Sequence, residues 1–101
     1  MATKTISTTA EELVPRNRLR KSMIFQNEDA TINCYVKKER EAIPTVSSTV
    51  HDHRIGPGGS ISFSDLSDGK EAIQDRWTIV AASGTPLISF FETEEVIRLK
   101  K

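Results

Sequence analysis

Apolar and polar residues alternate with a period of two along much of this chain, the spacing of strands that bury one face. Ile32-Asn33-Cys34-Tyr35-Val36-Lys37-Lys38 is the clearest case: Ile32, Cys34 and Val36 share one face, and Asn33, Tyr35 and Lys37 the other. Ser60-Ile61-Ser62-Phe63-Ser64 repeats the pattern with Ile61 and Phe63 inward. Segments 76–82 and 87–93 also predict strands, as does 20–27, which ends in the turn-forming run Asn27-Glu28-Asp29-Ala30. The last of these and 32–38 are expected to pair as a hairpin. A weaker strand pattern lies at 50–55, and 95–99 predicts a last strand or a short helical turn.

Breakers separate these runs. Gly56-Pro57-Gly58-Gly59 and Ser83-Gly84-Thr85-Pro86 are turns, and 39–49 reads as a surface loop. Single helical turns are expected near 10–13 and 70–73. The predicted fold is all-β: a small antiparallel β-sandwich or barrel of six to eight short strands with an extended N-terminal arm. Residues 1–19 form the arm and 20–101 a single β-sandwich domain. Leu87-Ile88-Ser89-Phe90-Phe91 is apolar on both faces, which predicts a strand covered by the core on one side and by a second sheet or a partner on the other.

Composition narrows the classes of function. The chain has 101 residues, enough for one domain. Its hydrophobic content of 37% predicts a thin core and favours a homo-oligomer. Fourteen Lys and Arg balance fourteen Asp and Glu, so no global field draws it to nucleic acid or to an anionic membrane. Neither is expected as a partner. Cys34 is the one cysteine, so no intrachain disulfide forms, which fits a reducing compartment. The N-terminal sequence has no apolar signal-peptide core, and no run approaches the ~18 apolar residues of a membrane helix. Synthesis in the cytosol as a soluble protein is expected.

Reactive constellations are not legible. His51 and His53 would share one face of a strand and could begin a metal site, but no third ligand accompanies them. Cys34 alternates with apolar neighbours as a small buried hydrophobe. Ser60 and Ser83 lack an elbow motif, and Gly56-Pro57-Gly58-Gly59 lacks the Lys-Ser/Thr of a phosphate loop. No catalytic, cofactor-binding or metal-ligating residues are assigned, and a protein that binds is expected, not an enzyme. The candidate partner-binding residues are Arg16, Arg18 and Arg20, which share one side of an extended run, with Tyr35, Phe90 and Phe91. Tyr35 lies opposite the apolar face of its strand. Phe90 and Phe91 point to opposite faces, so one of them is expected outside the main core. Trp77, beside Ile79 and Ala81, is expected in that core.

The order of these features resembles a family. A Pro-containing lead (Leu13-Val14-Pro15-Arg16-Asn17) precedes Arg20-Lys21, which open a strand ending in Asn27. A strand with an aromatic centre, the Gly56-Pro57-Gly58 turn, a Trp-containing strand and an apolar strand ending at Glu92 follow. This arrangement is similar to the small β-sandwich virion proteins of tailed bacteriophages, the capsid decoration (cement), head-fibre and related accessory proteins. The likeness covers residues 13–93 and departs from the family at the polar 50–55 segment and past Glu92. It implies a virion structural protein that binds the major capsid protein or a neighbouring virion component, as a homo-oligomer with a trimer favoured. A head–tail connector or tail component is the alternative within the same setting. A carbohydrate- or receptor-binding module, stacking sugars on Tyr35 or Trp77, is the alternative outside it.

Overall fold

The computed structural model describes residues 2–39, 43–64 and 73–94. The strands are β1 (Ala2–Thr5), β2 (Glu11–Val14), β3 (Arg20–Asn27), β4 (Cys34–Lys38), β5 (His53–Ile55), β6 (Ser60–Ser64), β7 (Trp77–Ala81) and β8 (Leu87–Glu94). They form two four-stranded antiparallel sheets, sheet A in the order β1-β8-β3-β6 and sheet B in the order β2-β7-β4-β5. Every connection except β4–β5 crosses between the sheets, the interleaved order of a jelly roll. The expected all-β sandwich is observed in its eight-strand form.

Alternation along each strand builds the core. Met23 and Phe25 of β3, Phe63 of β6 and Ile88 of β8 turn inward from sheet A, and Cys34, Val36, Trp77 and Ile79 from sheet B. An aromatic cluster joins the layers: Phe63 lies 4.7 Å from Trp77, and Phe25 lies 6.2 Å from both, edge-on. Such contacts add to the area that each ring buries.

Three expectations are corrected. The segments at 20–27 and 32–38 are not a hairpin, because β3 belongs to sheet A and β4 to sheet B. The crossing between them is fixed by polar groups. Asn27, fully buried, donates from Nδ2 to Ile32 O (2.6 Å), Ile55 O (3.1 Å) and Gly56 O (3.2 Å), while Asp29 N donates to its Oδ1 (3.0 Å). Asp29 Oδ1 then accepts from the amides of Thr31 (2.7 Å) and Ile32 (2.9 Å). A four-residue hairpin loop would leave these donors unused.

Residues 2–19, expected as an arm, carry two strands that belong to the sandwich. β1 pairs with β8 and β2 with β7, and Ile6, Leu13 and Val14 are buried in the core. The helical turn expected near 10–13 is instead β2, where pairing to β7 and burial of Leu13 and Val14 override local propensity. The turn expected near 70–73 falls largely, and the strand or helical turn expected at 95–99 wholly, outside the described residues.

The sheets differ on their outer sides. The loop at 43–50 lies over sheet B, where Val46, 3% exposed, lines one small depression with Val80 and Ala81. β7 is consequently buried at every position. Buried Glu39 ties this loop down: its carboxylate accepts from Thr45 N (2.8 Å), Thr45 Oγ1 (2.6 Å) and Thr78 Oγ1 (2.6 Å), with Lys37 Nζ at 3.5 Å. Burial works against its charge, but these hydrogen bonds and the Lys37 ammonium prevail and bring its pKa down to about 2. No described segment covers sheet A in the same way.

Candidate protein-binding face

The outer side of sheet A is defined by the residues that alternate with the core positions. Phe91, Ile24 and Ser62 lie side by side across β8, β3 and β6. Thr93, Ser22 and Ser64 form the adjacent row, and Thr3, Ser89, Gln26 and Ser60 the row on the other side, with Thr5 and Leu87 beyond. None of these side chains is charged, in a chain whose residues are 28% charged overall. Glu28 reaches in from the rim, its Oε1 accepting from Ser89 Oγ at 2.6 Å.

The apolar members of this face are open. Phe91 is 49% exposed and Leu87 41%, while Ile24 is half-buried. Phe91, Ile24, Ser22, Ser62 and Ser64 ring an open depression of about 270 Å³ floored by Met23 and Phe63. That is below the roughly 300–1,000 Å³ of clefts that enclose small ligands. Strands about 4.8 Å apart and rows about 6.7 Å apart give the face an area of about 400 Å². Short hydroxyl side chains around an apolar centre suit contact with another protein surface. Depletion of charge is the compositional mark of an interface core.

The structure separates the residues singled out from sequence. Phe91 stands on this face, whereas Phe90 is half-buried and packs against the core, so the two rings part as alternation requires. Arg20 must be removed from the exposed basic group. Its side chain is fully buried at the start of β3, where Nη1 donates to Ile73 O (2.8 Å) and Asp75 O (3.0 Å). Nη2 donates to Pro15 O (2.7 Å) and Glu92 Oε1 (3.0 Å). A bulge between Arg20 and Ser22 turns this guanidinium inward, away from Arg16 and Arg18, which are exposed on the β2–β3 loop. Tyr35 is half-buried on the far side of the molecule, on sheet B, its ring centroid 4.7 Å from that of His51.

The remaining reactive groups do not converge. His51 also hydrogen-bonds Ser47 O through Nδ1 at 3.1 Å, while His53 lies 5.4 Å from Phe63 and 6.1 Å from Trp77 at the open edge between the sheets. β5 begins at His53, so the shared strand face expected for the two rings does not form. Among the described residues no three His, Cys, Asp or Glu side chains group as a metal site. Cys34 is buried, and burial, with the nearby Asp29 charge, pushes its thiol up to about 11.

Ile24 and the serine ladder were missed from sequence, although the alternation in Ser60-Ile61-Ser62-Phe63-Ser64 marks one side of β6 as uniformly small and uncharged. Comparison with known proteins gave no matching protein family, curated protein or solved structure.

Proposed function

We propose that this chain is a bacteriophage virion structural protein, a decoration or head-accessory component that seats on the assembled shell through the outer side of sheet A. It binds and does not catalyse. The observation that carries this reading is the uncharged face around Phe91 and Ile24, left open on a surface otherwise rich in charge. The family likeness of residues 13–93 supplies the virion setting. The jelly-roll order alone does not choose, since shell and lectin domains both use it.

The size of the face supports a lattice partner. About 400 Å² is half of what each partner contributes to a standard interface, so a single copy binds weakly. Copies linked in an oligomer, a trimer first, gain by simultaneous attachment to a repeating shell. The sugar-binding alternative is weakened because Trp77 is 2% exposed and Tyr35 is half-buried, with the His51 ring tilted against it at 4.7 Å.

The test is sedimentation of the purified protein with undecorated capsids. Co-sedimentation at micromolar concentration is expected. Its absence at every concentration tried would overturn the shell-binding role.

A further inference from the structure

The β2–β3 loop has a hydrogen-bonded backbone beneath free side chains. Asn17 N donates to Gln74 O (2.9 Å), Arg20 N donates to Asn17 O (3.2 Å) and Gln74 Nε2 donates to Arg18 O (2.8 Å). Asn17 Oδ1 accepts from Leu19 N (3.0 Å), and the buried Arg20 guanidinium holds Pro15 O (2.7 Å). Above this frame Arg16, Arg18 and Leu19 are all exposed, and neither guanidinium has a hydrogen bond or ion pair among the described residues. Solvated arginines on a mobile loop would need no such frame. A fixed backbone lowers the entropy lost when the two forks close on a ligand.

We infer that this loop is a preorganised carboxylate-reading element, which engages acidic side chains on the rim of the surface that covers sheet A. This rests on the proposed docking of that sheet. The loop borders the same end of the face, since Asn17 Nδ2 donates to Glu94 Oε1 (3.3 Å) and β8 runs from there back to Phe91. Guanidinium forks match carboxylates in bidentate geometry. The chain's balanced charge supplies no wider field to follow a run of phosphates, and no exposed aromatic residue lies in the loop to stack bases. The division of labour follows: the neutral face supplies buried area, and the loop steers and orients the encounter.

Association with undecorated capsids is followed by light scattering at low and high salt, for the native protein and for the double variant Arg16→Glu, Arg18→Glu. The native on-rate should fall about tenfold as salt rises, and the variant should bind about tenfold more slowly at low salt with little salt dependence. Equal rates for the two proteins would overturn the inference. A second arm needs no shell: retention on a poly-glutamate surface, with duplex DNA as the competing polyanion. Retention of the native protein alone upholds the loop's role even if capsid binding fails, and then only the docking reading falls. Equal retention of both proteins, or tighter binding to DNA than to poly-glutamate, would contradict it.

Discussion

Ile24 of β3 and Phe91 of β8 are direct cross-strand partners on the outer side of sheet A, next to Ser62 on β6. Inside the same strands the pairing is Phe25 with Phe90, both in contact with the core. Two adjacent registers therefore separate the folding core from the face proposed to bind. A cross-strand pair on an open face contributes about 0.2–1 kcal/mol, whereas removing a core phenylalanine costs about 3–5 kcal/mol. Phe91→Ser should lower unfolding free energy by less than about 1 kcal/mol, and Phe25→Ala by several times that. Urea denaturation of both variants measures the contrast; similar losses would place Phe91 in the folding core.

Arg20 is expected to be among the most sensitive positions. Its guanidinium serves three carbonyls and Glu92 from a site with no solvent access. Replacing it strands Glu92 and unmatched carbonyls, a loss of about 3–5 kcal/mol for Arg20→Ala. Arg20→Lys keeps the charge but not the planar fork, so it should recover only part of that loss. Full recovery by lysine in urea denaturation would refute the geometric role of the fork.

Asn27 gives a test with a characteristic pH signature. Its amide nitrogen faces three carbonyl oxygens in a fully buried site. Asn27→Ala should cost about 2–4 kcal/mol by leaving them without a donor. Asn27→Asp should be worse at neutral pH, where a carboxylate would face those oxygens, and should improve as acid restores one donor. Thermal melts of the two variants at pH 7 and pH 4 check the reversal.

Glu39 predicts how the native protein responds to acid. Its folded pKa, about 2, lies below the ordinary value of 4.5. The unfolded chain therefore takes up the proton first. The stability that the carboxylate contributes is complete above pH 4.5 and declines as pH falls toward 2. Glu39→Gln should cost about 1–2 kcal/mol at pH 7 and flatten the decline between these limits. Melting temperature against pH for both proteins tests this; parallel curves would assign the acid sensitivity elsewhere.

How far the sequence disclosed this protein depends on the range of the interaction concerned. Alternation located β3, β4 and β6, which bury one side each, and continuous apolar runs located β7, buried at every position, and β8. Neither located β1 and β2, whose short runs become strands only by pairing with β8 and β7 from the far end of the chain. Which sheet a strand joins was equally hidden: 20–27 and 32–38 look like a hairpin until Asn27 and Asp29 are seen to fix the crossing. At the site, the alternation of Phe90 and Phe91 predicted one outward ring. The misplacement of Arg20 has the opposite cause, since an arginine in a run of arginines reads as solvated unless its carbonyl partners, two of the three 53 and 55 residues away, are known. The serine ladder was visible on β6, but its continuation through Ser22 and Thr93 required the register.

The uncharged side of sheet A is the proposed binding surface. The most direct measurement compares Phe91→Asp with Ile43→Asp in co-sedimentation with undecorated capsids. Ile43 is 78% exposed, outside sheet A, so the same charge is added away from the proposed contact. Phe91→Asp should remain folded and lose binding, and Ile43→Asp should sediment with the shells as the native protein does. Retained binding by a folded Phe91→Asp would contradict the account.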